Sequence, residues 1–329
     1  MANIDRDLLF LYSENARAKI RDMAKKLRKS PQRLKYNLKV LEKEKIVHNA
    51  HCIFDYSYFG LVLFKVYFKG GYTSEKDRER ILNQLKENPY VVSIFELNGE
   101  FDLVVEISSP NPSRFNKELK KIVDAIPTLN NYKVILNLVT HIYPRAYLAA
   151  NPEFTAHARP EIIVGGDRAV ETFGKNEIQV MRNLLENPKM RMASLARNSE
   201  INVKTAVFLL KKLQKMRIIK GFKYVIDANK IDVHKFRLFL KLHNISPERE
   251  KQLLDYMLGT KEIVQLNKTV GDWDIELDIE ASDKIKMRSV IVQLRQEFKD
   301  IIENFNIIEF LQYHKKSYLP GYFFMESAK

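Results

Sequence analysis

Several things are scarce or missing in these 329 residues, and each absence removes a class of protein. There is a single cysteine, Cys52, so an intramolecular disulfide and a cysteine-cluster metal site are both excluded. Cys52 is expected to be a core thiol. No apolar run approaches the roughly 18 residues that would suggest a membrane span. The phosphate-cradling G-x-x-x-x-G-K-[ST], the dinucleotide G-x-G-x-x-G, the metalloprotease H-E-x-x-H and the hydrolase G-x-S-x-G are all missing. The expectation is a protein without a catalytic residue set, metal or cofactor. His48 and His51 stand three apart in a strand-like stretch, which predicts opposite faces rather than one site. The opening Met1 to Asp7 carries charge where a secretory leader would be apolar, so the expected compartment is the cytoplasm.

Acidic residues are also in deficit. Lys and Arg number 55 against 41 Asp and Glu, a formal net charge of +14, a balance that favours polyanionic partners. Placement of that charge decides what it means.

What is present, above all, is a repeat. Asp5, Ala24, Leu41, Asp55, Gly99 and Asp102 are matched by Glu177, Ala196, Leu213, Asp227, Gly271 and Asp274, each 172 positions later. The two copies end alike, in Tyr147-Leu148 and Tyr318-Leu319. Between them, Asn151-Pro152, Arg159-Pro160 and Gly165-Gly166-Asp167 are turn signals around Ile162-Ile163-Val164, which predicts a linker with a hairpin.

Each copy starts with three short helices. In copy one, Ser30-Pro31 supplies a hydroxyl N-cap and a proline at the first helical position. Leu34, Leu38 and Leu41 then form the inward stripe of the third helix. That leaves Gln32, Arg33, Lys35, Tyr36, Asn37 and Lys39 outward, side chains suited to base edges and phosphates in a major groove. Between Arg17 and Lys45 twelve basic residues face three acidic ones. Arg28, Lys29 and Ser30 join the six outward residues as the expected DNA contacts. Copy two repeats the pattern with Ala206, Leu210 and Leu213 inward, but Val207, Phe208 and Leu209 replace Lys35, Tyr36 and Asn37. A degenerate, structural helix covered by other protein is expected there.

A β-α-β-β-α-β order follows in both copies. Strands are predicted near 61–69, 91–98, 101–108 and 132–142, then near 235–243, 262–269, 273–280 and 304–314. The fold class expected is therefore α+β, a tandem duplication of a winged helix-turn-helix followed by a ferredoxin-like βαββαβ domain. The units run 1–57, 58–148, a linker 149–173, 174–230, 231–322 and a tail 323–329. Leu61 to Phe68 is apolar on both faces, so a second sheet, in the same chain or another, should cover it. Carboxylates Asp102 and Glu106 stand on the third strand where an RNA-binding sheet would need stacking rings.

The helical start, the exit "LEKEKIV" at Leu41 to Val47, the hairpins Gly99-Glu100-Phe101-Asp102 and Gly271-Asp272-Trp273-Asp274, and the endings "IYPRAYL" and "KKSYLPGY" occur in a specific order. In that order the chain resembles the Lrp/AsnC, or feast/famine, transcriptional regulators, particularly double-length archaeal members. The resemblance implies double-stranded DNA as partner, self-association through the ferredoxin-like sheets, and an amino acid or related metabolite as effector near Gly99, Asp102, Gly271 and Asp274. A tight turn with a capping carboxylate explains those four residues equally well. Sirohaem decarboxylases also resemble paired units of this kind, which keeps a tetrapyrrole enzyme as the alternative. His141 and His314 lie near the matching last strands, without that family's surrounding sequence.

Overall fold

The computed structural model describes residues 4–156 and 161–326. Copy one opens with α1 (Arg6–Ser13), α2 (Ile20–Leu27) and α3 (Pro31–Lys43), then strand β1 (Val47–Phe54). It continues with β2 (Val62–Phe68), α4 (Glu75–Glu87), β3 (Val91–Asn98), β4 (Leu103–Ser109), α5 (Pro112–Ala125) and β5 (Tyr132–Ile142). The connection carries α6 (Pro152–Ala156) and β6 (Ile162–Gly165). Copy two runs through α7 (Lys175–Glu186), α8 (Met192–Asn198), α9 (Val203–Lys215), β7 (Ile219–Ile226), β8 (His234–Leu242) and α10 (Pro247–Gly259). It ends with β9 (Ile263–Val270), β10 (Ile275–Ala281), α11 (Lys284–Glu297), β11 (Ile302–Lys316) and α12 (Tyr322–Glu326). The chain is thus a winged helix-turn-helix plus ferredoxin-like unit, twice over.

Capping fixes where the third helices begin. The Ser30 hydroxyl accepts from the Arg33 amide at 3.3 Å, and the Asn202 side chain does the same for Thr205 at 2.8 Å. Leu34, Leu38 and Leu41 are buried under α3, and Ala206, Leu210 and Leu213 under α9, as the periodicity requires.

The two sheets join edge to edge. The order β2-β4-β3-β11-β8-β10-β9-β5 closes on itself through β5 and β2, and β6 attaches to β5. Strand β11 bridges the copies by pairing with β3, and β5 does so by pairing with β9. The double-sided apolar character of β2 follows: one face packs on α4 and α5, the other looks into this ring. The expected sheet partner is therefore supplied within the chain. Above one mouth of the ring, β1 and β7 pair antiparallel as a two-stranded sheet shared by the two helix-turn-helix units.

The linker differs from its expectation. Among the described residues, Ile162 to Gly165 pairs with Val139 to Ile142 of β5 rather than with a strand of the linker. Arg159-Pro160, one of the predicted turns, lies outside the described residues. The tail is helical from Tyr322, whose ring stacks on Tyr90 at 4.0 Å.

Inside the ring, apolar residues share space with buried charge. Arg237 grips Asp278 through Nε at 2.7 Å and Nη2 at 3.1 Å, and donates from Nη1 to the Tyr67 hydroxyl at 2.7 Å. The Tyr67 hydroxyl donates to Glu276 at 2.7 Å, and Lys65 reaches the other oxygen of Glu276 at 2.5 Å. Each charge has partners, the condition under which buried ions are tolerated. Burial pushes the Asp278 carboxyl up, but Arg237 and Lys235 outweigh it and hold the group well below its usual range.

Candidate DNA-reading helix and barrel-mouth cavity

Helix α3 presents its polar face to solvent. Gln32, Arg33, Lys35, Tyr36 and Lys39 are exposed, Tyr36 by 69%, and Asn37 is half-buried. Arg28 follows α2 in the left-handed conformation, at φ 51°, and is exposed. Lys29 is instead tied to Asp5, the residue that caps α1, so it holds the helices together as well as adding charge. The Ser30 hydroxyl is spent on its capping bond.

Helix α9 differs in what it exposes rather than in being covered. Phe208 is 64% exposed and Val203 47%, while Leu209 is buried. The expected protein cover for Phe208 is thus absent among the described residues. Lys212 reaches back to Glu177 at 2.8 Å and binds α9 to α7.

The second feature was not legible in the sequence. Between the β1–β7 sheet and the mouth of the ring lies a cavity of about 810 Å³. Its walls carry Lys45, Arg145, Lys223, Lys230, Lys235, Arg237 and Lys316 against Asp227, Asp278 and Glu280. Aromatic rings of Phe95, Phe310, Tyr143 and Tyr318 complete them.

His48 and His51 both line this cavity, which corrects the prediction of opposite faces. The reason is a bulge: His48 pairs with Val225 and His51 with Lys223, so three steps on β1 match two on β7. Asn49, inside the bulge, takes φ 44°. His51 Nδ1 lies 3.1 Å from the Asn49 carbonyl, which accepts its proton and leaves Nε2 as an acceptor. Burial, together with Lys316, Arg145 and Lys223, pushes the His51 imidazole down to about 3. Burial likewise lowers His48, with Lys230 and Lys45 adding to it and Asp227 opposing.

The four glycine and aspartate residues of the hairpins lie away from the cavity. They sit where β3 meets β4 and β9 meets β10, and none of the four lines it. Gly99 has φ +134° and Gly271 φ +148°, and a Cβ on either would meet the other copy, 3.3 Å from Ile308 or 3.4 Å from the Val134 carbonyl. Asp102 accepts from the Gly70 amide, and Asp274 from the Leu242 amide at 2.8 Å and Lys241 at 3.1 Å. These contacts tie each hairpin to the end of the neighbouring strand, β2 or β8. His314 bonds Glu96 at 2.6 Å and His141 bonds Glu161 at 2.9 Å. Among the described residues no cluster of three metal-ligating side chains occurs, and no helix is long and apolar enough to cross a membrane. Cys52 is buried, which raises its thiol.

Comparison with known proteins gives two signals of different reach. The family described as winged helix-turn-helix DNA-binding matches residues 1–48. The HTH-type transcriptional regulator FL11 of Pyrococcus horikoshii is 24% identical over 143 residues, covering 42% of this chain and 89% of that protein. Over the full length, the crystal structure of the siroheme decarboxylase NirDL aligns with a TM-score of 0.58 at 12% identity, covering 99% of this chain and 98% of that one. A second structure of NirDL, in co-complex with an iron-uroporphyrin III analogue, aligns with the same TM-score at 11% identity, covering 99% of this chain and 100% of that one. At such identities the NirDL likeness concerns the fold.

Proposed function

We propose that the chain is a sequence-specific, DNA-binding transcriptional regulator of the Lrp/AsnC type, and that α3 of copy one is its reading helix. The observation that carries this is the solvent-facing row Gln32, Arg33, Lys35, Tyr36 and Lys39 on a helix within the segment that matches DNA-binding winged helices. Arg can grip guanine in a bidentate manner, Gln and Asn read adenine, and Lys neutralises phosphate. Helix α9, with Val203 and Phe208 exposed, holds the second helix-turn-helix in place and does not read bases. Incubating the full chain with a random duplex pool and sequencing the retained fraction tests this. Enrichment of one sequence supports the reading, whereas retention without enrichment removes sequence specificity.

The cavity favours a second reading, in which the chain does chemistry on a carboxylated tetrapyrrole. Its volume, its lysines and arginines and its neutral His51 suit such a substrate, and the full-length likeness to NirDL adds support. Lysines and arginines would hold the carboxylates, and the lone pair of the neutral His51 Nε2 would be available to a metal. Adding sirohaem and following both its visible spectrum and the mass of the product decides this: a product one carboxyl group lighter establishes the enzyme.

A further inference from the structure

The repeat implies two equivalent mouths in the ring, and among the described residues one is open and the other filled. Position by position, Lys235, Asp278 and Ala228 of the open cavity correspond to Leu63, Glu106 and Tyr56 of its counterpart, 172 residues earlier. On the copy-one side Tyr56 fills the space, and its hydroxyl accepts from Asn137 at 3.0 Å. Strand β6 seals that side: the Gly165 amide donates to Asp55 at 2.8 Å, and a Cβ at Gly165 would lie 2.7 Å from the Tyr56 hydroxyl. What is left there is about 20 Å³, room for about one water molecule. In copy two the tyrosine is Ala228 and the leucine is Lys235. The differences between the copies therefore open one mouth and add a cation to it.

The acids of the open mouth are already engaged. Asp278 is held by Arg237 and Lys235, and Glu280 by Arg145 and Tyr147. Lys45 has no acidic partner among the described residues. Cations spread around aromatic walls fit carboxylates at the rim of a flat body.

The same cavity touches the route out of the reading helix. Helix α3 ends at Lys43, and Lys45 in the connection and His48, Asn49 and His51 on β1 all line the cavity. Lys230, another wall residue, donates to the Glu44 carbonyl at 2.6 Å, and the Asp227 amide donates to the Ile46 carbonyl at 3.0 Å. A ligand there would contact β1 and the connection that leaves α3.

We propose that the open mouth binds one flat polycarboxylate per chain and that its occupancy sets the DNA affinity of α3 through β1. The coupling rests on the DNA-reading proposal; the site does not. The test uses the full chain with benzene hexacarboxylate, the octacarboxylate uroporphyrin I and ATP as probes in calorimetric titrations, followed by DNA titration with and without the bound probe. Ala228→Tyr rebuilds the copy-one plug, and Lys235→Leu restores the copy-one residue; thermal melting confirms that each is folded. The site predicts binding of a carboxylate probe at one per chain, weakened at least about tenfold in both variants. It also predicts a shift in DNA affinity of at least about fivefold on saturation. Tighter binding of ATP than of either carboxylate overturns the ligand class, and two probes per chain overturn the single site. Probe binding with unchanged DNA affinity overturns the coupling. A chain that binds DNA but no probe loses this proposal while keeping the DNA reading; one that binds probe but no DNA keeps the site alone.

Discussion

His51 on β1 pairs across the two-stranded sheet with Lys223 on β7, and Lys223 is its own counterpart in the repeat, 172 positions further on. The local two-fold relation between the copies therefore passes between a histidine and a lysine. Lys223 is compensated by Glu14 at 2.6 Å, whereas the charges pressing on His51 come from Lys316, Arg145 and Lys223 itself.

That pairing gives stability a pH dependence with a definite sign. His51 stays neutral in the folded chain down to about 3, while in the unfolded chain it takes up a proton below roughly 6.5. The unfolded state then binds more protons, so stability falls as pH drops through that window. His51→Gln should shrink the fall in melting temperature between pH 7.5 and pH 5, with His48 keeping part of it. An identical fall in both proteins would contradict the assignment.

Lys65 and Glu276 face each other inside the ring with almost no solvent access. Replacing Lys65 alone by methionine removes the nearer of the two cations on Glu276, leaving Arg237 at 3.5 Å, and should cost about 3 kcal/mol, the lower end of the range for a broken buried pair. Lys65→Met with Glu276→Leu should recover a large part of that loss in urea unfolding. A double variant no more stable than the single one would show that Glu276 is held mainly by Arg237, Tyr67 and Asn267.

Phe208 and Leu213 lie on the same helix with opposite surroundings. Phe208→Ala should change stability within about 0.5 kcal/mol, because the ring is 64% exposed. Leu213→Ala, at a fully buried site, should cost about 2–5 kcal/mol. A large loss from Phe208→Ala, seen only at high protein concentration, would point to a contact between chains.

Much of the fold was legible because periodicity and repetition speak directly to local structure. The cap at Ser30-Pro31 and the stripe Leu34, Leu38 and Leu41 give α3, and the offset between Gly99 and Gly271 gives the duplication. The cavity was not legible because it depends on a bulge and on closure. Strand alternation puts His48 and His51 on opposite faces; only the left-handed Asn49 turns both to one side. Tyr56 and Ala228 look unremarkable as residues, and their importance emerges only when β5 and β9 close the ring around them. The hairpin residues Gly99 and Asp102 drew attention by pattern, and Asp102 ties its hairpin to Gly70 just beyond β2.

The most direct test of DNA reading by α3 is fluorescence anisotropy with the selected duplex at two salt concentrations. It compares the unaltered chain with Arg33→Ala/Lys35→Ala and Lys204→Ala/Lys211→Ala. The α3 variant should bind at least about tenfold more weakly, with a salt slope reduced by about 1 for each phosphate no longer neutralised, while the α9 variant binds as the unaltered chain does. Equal weakening in the two folded variants, or unchanged binding by the α3 variant, would contradict the assignment of α3 as the reading helix.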